Sequence, residues 1–245
     1  MPNTNTPLDR RNFNHHGAQL FAALLTLRLS SHSDAAFALG LTDLTNKDAA
    51  SGLRAALARG TSAAIDSLGK TDGFLGNALV KISLPSYMED AAKLLRNLGQ
   101  GPRIDELITS MNRAAEQAVP LAKNLLTNAV QAISLSDAKN ILSGGENAAT
   151  KFFIEKTRTP LSMQFLPIVT KATEKVGLID KYNALATKLQ PFGLIKPEDA
   201  NIQQYVTTKS LDGLYFMIGE EEKKIRKDPI GTGSAILSKV FGVLK

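Results

Sequence analysis

The sequence predicts an all-α protein: a single irregular helical bundle with kinked helices and at most one short extended segment, near residues 79–83. Three observations carry that expectation. Apolar residues recur mostly at intervals of three and four, the period of a helix face. Brief alternation is confined to Leu79-Val80-Lys81-Ile82. Glycine and proline punctuate the periodic stretches, and no low-complexity linker or repeat of solenoid length divides the chain.

The first helix is marked by Ala49, Ala50, Leu53, Leu57, Ala64, Ile65 and Leu68, with Gly69 as its stop. Gly73 and Gly76 interrupt the pattern before the extended stretch, and Pro85 is placed to open the next helix at its first turn. That helix runs from about Ser86 to Leu98 and ends at Gly99, with Gly101-Pro102 beyond. A longer stripe follows: Ile104, Leu107, Ile108, Met111, Ala115, Ala118, Ala122, Leu125, Ala129 and Ile133. Pro120 lies inside it. A proline removes one backbone donor and crowds the carbonyl four residues back, here that of Glu116, so a kink or break is expected.

Ser136 and Asp137 are placed to cap a short helix that ends at Gly144-Gly145. A helical stretch from Glu146 to Thr157 comes next. A restart at Pro160, with Ile168, Val169, Ala172 and Val176, reaches Gly177 after a bend at Pro167. Tyr182, Leu185 and Leu189 mark one more helix before the Pro191 to Pro197 turn region. Asn201 is placed to cap the last long helix, whose stripe is Ile202, Tyr205, Val206, Leu211, Leu214, Ile218 and Ile225. Asp228-Pro229 ends it, and a short amphipathic tail runs from Ser234 to Leu244.

Hydrophobic residues make up 43% and charged residues 21% of the 245; these are ordinary values for a folded chain, so wholesale disorder is disfavoured. The sequence has no Cys and no Trp, and its three His are His15, His16 and His32. Disulfides, Cys-based zinc sites and a Cys nucleophile are excluded. The basic excess is mild, +6, and is spread along the chain.

Residues 1–38 read as an export signal. Arg10-Arg11-Asn12-Phe13 is the positive start, Ala18 to Leu27 a mostly apolar run of ten, and Ala36-Phe37-Ala38 a small-residue cleavage site after the polar stretch Arg28 to Asp34. Ten residues are too few to span a bilayer as a helix. The Arg-Arg-x-Phe start is reminiscent of a twin-arginine signal, whereas Arg28 beside the apolar run argues against that route. Cleavage after Ala38 leaves a domain of residues 39–245 with 26 Lys and Arg, 21 Asp and Glu, and no His. Such a domain lacks the side chain that titrates near neutrality and the commonest metal ligand. No metal or cofactor is expected, and the destination is the periplasm or the medium.

Several motifs carry chemistry weakly. Gly231-Thr232-Gly233 opens like a dinucleotide fingerprint, but Ile236 holds the third glycine position and a charged helix precedes it. Gly144-Gly145 could present backbone donors to an anion with Lys151 nearby, although a plain helix-to-helix turn explains the pair. Asp105, Thr109, Asn112 and Glu116 share one polar edge at helical spacing, with Arg113 beside them. That edge reads as a pocket lining, a solvated face or an internal network. In the run Glu220 to Lys227, the apolar stripe between Ile218 and Ile225 must pass through Glu221 or Glu222. A partly buried carboxylate paired with a cation such as Arg226 is the consequence, and such groups are functional candidates as well as structural ones. No Gly-x-Ser-x-Gly elbow and no basic, aromatic-laced stripe for nucleic acid is present.

Gly73-Phe74-Leu75-Gly76-Asn77, Val80-Lys81-Ile82 and Leu84-Pro85 resemble the opening of a bacterial domain of unknown function, number 4197. Met111 to Glu116 with Ala118-Val119-Pro120, Asp137-Ala138-Lys139, Ile141 to Gly145 and Phe165 to Val169 are similar to it in the same order. So are Leu211 to Leu214, Glu221-Glu222 and Arg226 to Pro229. Ala78 and Gly219 depart from the usual pattern. The resemblance implies a helical, mostly exported protein; it brings no activity and no site residues. The functional expectation is therefore a soluble, non-enzymatic binding or structural module of the cell envelope. Its speculative binding residues are Asp105, Asn112, Arg113, Glu116, Glu221, Glu222 and Arg226, and its partner is an envelope protein or a small ligand. A carrier of an apolar or anionic small molecule is the alternative, and a metal-independent hydrolase pairing Glu116 with Glu221 or Glu222 stands third.

Overall fold

The structure is a computed structural model, and it describes residues 46–174, 179–180, 182–183, 191 and 201–228. The export signal, the helix carrying Leu185 and Leu189, Gly231-Thr232-Gly233 and the tail from Ser234 lie outside the described residues. Within them the fold is all-α and contains no strand.

Helix α1 (Asn46–Leu68) buries Ala50, Leu53, Leu57, Ala64, Ile65 and Leu68, the stripe its spacing predicts. An irregular segment follows to Pro85. Its alternation is real without a sheet: Val80 and Ile82 are buried while Leu79 and Lys81 are exposed. Pro85 precedes a short 3-10 turn, Ser86–Met88, instead of opening the helix; α2 is Glu89–Leu95. The chain passes a wide turn, Arg96–Gln100, in which Gly99 takes φ 76°, a left-handed conformation that glycine adopts without steric cost.

Helix α3 (Gly101–Ala118) carries Pro102 in its first turn, where the missing N–H is harmless. The break expected at Pro120 is a 3-10 turn, Val119–Leu121, leading into α4 (Ala122–Gln131). It redirects the chain. α3 packs on the two longest helices, whereas α4 packs on α1 as well as on one of those two. Beyond the turn the predicted Ala122 and Ile133 are buried, but between them the buried positions are Leu126 and Val130, one residue on from the predicted Leu125 and Ala129. Helix α5 (Leu135–Ser143) is capped by Ser134, not Ser136: Ser134 Oγ accepts from Asp137 N at 3.1 Å and Asp137 Oδ2 accepts from Ser134 N at 2.9 Å.

The stretch expected as two helices with a bend is one, α6 (Ala148–Thr173), running through Pro160 and Pro167. The carbonyls those prolines leave without a helical donor belong to Lys156 and Met163, both exposed residues. Its buried residues recur every fourth position, Ala149, Phe153, Thr157, Leu161, Phe165, Val169 and Thr173. Since an α-helix advances 3.6 residues per turn, that stripe drifts about 40° each time. The drift lets α6 meet different neighbours along its length: α3, α4, α5 and α7 (Ile202–Lys227). Asn201 caps α7 as expected, its Oδ1 accepting from Gln203 N at 2.8 Å and Gln204 N at 3.2 Å. Every residue of the stripe predicted for α7 is buried.

Two glycines set how closely α7 is approached. A Cβ at position 213 would lie 2.7 Å from Phe74 Cε1 and 3.3 Å from Val80 Cβ, and Phe74 is fully buried. At Gly60 a Cβ would come within 3.2 Å of Glu221 Cβ, so α1 crosses α7 there. Gly219 differs: its Cβ would meet nothing closer than Thr150 Oγ1 at 3.5 Å. Gly213→Ala is expected to cost about 1–3 kcal/mol by overpacking, whereas Gly219→Ala gains up to about 1 kcal/mol of helix propensity. Urea denaturation of the two variants checks the opposite signs. Asp137 gives a pH dependence. Hydrogen bonds from the Ser134 side chain, then its N–H, hold the carboxyl below its usual range. Its contribution is thus present above about pH 4 and lost as the pH falls, and Ser134→Ala is expected to shrink that loss between pH 7 and pH 3.

Candidate functional site

The polar edge of α3 faces the irregular segment 72–82. Asn112, fully buried, uses its amide as a one-residue strand partner: Oδ1 accepts from Ile82 N and Nδ2 donates to Ile82 O, both at 2.8 Å. The same Nδ2 donates to Ile108 O at 2.8 Å. Glu116 Oε1 accepts from Phe74 N at 3.0 Å and Leu75 N at 3.2 Å, while Oε2 receives Arg113 Nη1 at 2.6 Å. Arg113 also donates to Asp72 Oδ1 at 2.8 Å, and Asp72 itself sits at φ 64°. These two carboxylates, Glu116 first, raise the Arg113 pKa above its already high value. Of the predicted edge, then, the structure brings together Asn112, Arg113 and Glu116. Asp105 stands apart: exposed, it pairs with Arg96 at 2.5 Å, and that hydrogen bond holds its carboxyl below the usual range.

The second predicted cluster lies on α7. Glu222 is the carboxylate that the stripe buries, with 4% of its side chain exposed. Its Oε1 accepts from Ala149 N at 3.0 Å, and Oε2 accepts from Thr150 N and Thr150 Oγ1, both at 2.8 Å. Arg226 supplies Nε at 3.0 Å and Nη2 at 2.8 Å to the same Oε1, and Nη2 also reaches Ile141 O at 2.8 Å. The N-terminus of α6 thus holds an anion, the Glu222 carboxylate, through Ala149 and Thr150, and no donor from Gly144-Gly145 takes part among these contacts. Glu221 is only partly buried and pairs with Lys224 at 2.6 Å. Glu220 pairs with Lys223, three residues on, at 2.8 Å.

A carboxylate offers about four acceptor positions. Glu222 receives five donor contacts and Glu116 three, so their oxygens are engaged inside the protein. Among the described residues, the buried side-chain polar atom with no partner is Thr207 Oγ1.

Open concave surface lies elsewhere, on either side of Phe216 in α7. One groove, about 410 Å³, runs between residues 79–83 and α7, lined by Lys81, Tyr205, Lys209, Asp212, Gly213 and Phe216 among others. The other, about 360 Å³, runs between the first half of α6 and α7, lined by Lys151, Ile154, Arg158, Tyr215, Phe216 and Gly219 among others. Neither includes Asp105, Asn112, Arg113 or Glu116. Phe216 is 41% exposed and Leu79 70%. Tyr215 is buried, which raises its phenol pKa against the opposing hydrogen bond shared with Thr157 at 2.8 Å. Sequence reasoning missed these grooves. One signal was available: Phe216 is a large apolar residue out of phase with the α7 stripe. Among the described residues no group of three or more His, Cys, Asp or Glu could hold a metal, and no helix is long and apolar enough to cross a membrane.

The family model described as a protein of unknown function (DUF4197) matches residues 43–242, so the chain belongs to that family. No curated protein and no solved structure matches the chain.

Two substitutions test the internal roles. Glu222→Ala takes the buried carboxylate from Arg226 and leaves two helix N–H groups without their acceptor, and a loss of about 3–5 kcal/mol is expected. Asn112→Ala leaves the Ile82 N–H and C=O unsatisfied, for about 2–4 kcal/mol. Denaturant unfolding at neutral pH measures both.

Proposed function

We propose that this member of the DUF4197 family is a non-enzymatic binding module of the cell envelope, exported as residues 39–245, that docks a protein partner on the α7 face around Phe216. One contrast carries the reading. The buried polar groups first suspected of forming a site are consumed by backbone and ion-pair contacts, while the Phe216 face keeps apolar side chains and two grooves open to solvent. Exposed aromatic surface rimmed by charge is the usual character of a protein-binding patch.

The alternatives draw less support. A small-molecule carrier is best served by a pocket that encloses most of its ligand; these grooves are open. A hydrolase needs two carboxylates facing one substrate, and Glu116 and Glu222 face helix ends, loop backbone and arginines instead. Export is supported by the order of charged, apolar and small residues in 1–38.

Photo-crosslinking in producing cells tests the binding role. Phe216→p-benzoylphenylalanine is expected to give discrete light-dependent adducts of higher mass, and the same probe at exposed Thr127 on α4 none. Equal labelling at both positions, or none at 216, overturns the reading. Fractionation with N-terminal sequencing tests export: the expected mature terminus is Leu39 in the periplasm or medium, and an intact Met1 terminus in the cytosol overturns it.

A further inference from the structure

Gly219 is the unexplained residue of α7. A glycine inside a helix costs about 1 kcal/mol relative to alanine. Gly213 and Gly60 meet that cost with a close packing contact; at Gly219 a Cβ would find only ordinary contacts, 3.5 Å to Thr150 Oγ1 and 3.7 Å to Asn147 Oδ1. What its missing side chain keeps clear is the floor of the groove between α6 and α7. Ile154, Tyr215 and Phe216 supply that groove's apolar walls.

The charge around the face is lopsided. Over the two grooves, Lys81, Lys151, Arg158, Lys209 and Lys223 stand against Asp212 and Glu220. Both carboxylates are already paired: Asp212 with Arg158 at 2.5 Å and Lys209 at 3.9 Å, Glu220 with Lys223 at 2.8 Å. Lys81 and Lys151, one in each groove, have no carboxylate within salt-bridge distance among the described residues; Lys81 acts on Asp105 only through its longer-range field. An occupant that satisfies this face brings an apolar group for the floor and negative charge for the rim.

We infer that the groove over Gly219 receives a large apolar side chain from an acidic segment of a protein partner, with carboxylates of that segment meeting Lys151 and Lys81. The inference rests on the binding-module reading and adds the chemistry of the partner. A protein segment fits better than a small amphiphile because the apolar floor and the unpaired cations extend over two open grooves on both sides of Phe216. Electrostatic complementarity of this kind sets orientation and speeds encounter.

Panning a random twelve-residue phage-displayed peptide library on the full chain tests it. Enriched peptides are expected to carry a Leu, Ile, Phe or Met with Asp or Glu within four residues. Synthetic versions should lose at least tenfold in affinity to Gly219→Leu, which fills the groove, and to Lys151→Glu, which inverts the rim. Lys151 is exposed, so that second variant keeps the test decisive if Gly219→Leu unfolds the chain. No enrichment, a basic consensus, or peptides indifferent to Lys151→Glu overturns the inference. So does saturable binding of sodium dodecanoate that Gly219→Leu abolishes while no acidic peptide binds, which would assign the groove to a small amphiphile. Adducts at position 216 with a basic consensus sink the acidic partner and leave the binding module standing. An absence of both adducts and peptides sinks the two together.

Discussion

A buried carboxylate at the start of a helix organises this fold. The first turn of any α-helix leaves backbone N–H groups without helical acceptors, and in the interior they must find others. At α6 two of those donors, on Ala149 and Thr150, are met by Glu222 from α7, more than seventy residues along the chain. The carboxylate also sits at the positive end of the helix dipole, where negative charge is favoured. Arg226 neutralises it and carries the link on to the carbonyl of Ile141 at the end of α5. One ion pair on one turn of α7 thus fixes where α5 stops and α6 begins. Once those ends are set, the side chains along α6 and α7 have little freedom over which of them meet.

The same device appears in a second form on α3. The segment between α1 and α2 has no sheet to join, yet Val80 and Ile82 are buried with their backbone. Asn112 supplies the donor and acceptor that a neighbouring strand would have given, and Glu116 collects the N–H groups of Phe74 and Leu75. Tyr205 adds a hydroxyl to Ser83 O from the α7 side at 2.9 Å. An irregular segment pinned this firmly becomes a rigid wall. It is the wall of one of the two grooves, so α3's internal polar network shapes a surface its side chains do not line.

The buried polar networks and the open grooves therefore lie apart. Carboxylates that look catalytic by type are occupied with backbone ends, and the face left with unmatched character is the outer ridge of α7. The glycines divide in the same way. Gly213 makes room for Phe74 and serves the core; Gly219 makes room for no close packing contact among the described residues. A binding role assigned to the ridge accounts for a helix-weakening residue that packing does not require.

Periodicity and local residue chemistry determined the helical class, the inward stripes of α1 and α7, the left-handed turn at Gly99, the break at Pro120 and the cap at Asn201, because each depends on residues within a turn or two of one another. It also marked Glu222, since an apolar stripe of fixed period has to pass through position 221 or 222. Local rules failed where the deciding group is distant. Pro160 and Pro167 suggest interruptions, but the helix they sit in is held by the neighbours it packs on along its whole length, and those lie far off in the chain. The cap of α5 is a different case, a local rule not applied: the box with Asp137 needs a spacing of three, which Ser134 has and Ser136 lacks. The polar edge of α3 was legible; that its partners are Phe74, Leu75 and Ile82 was not, for those contacts span 30 to 42 residues. The grooves belong wholly to the tertiary structure. Their walls come from segments that have no neighbour relation in the chain, and only packing makes a cavity out of them.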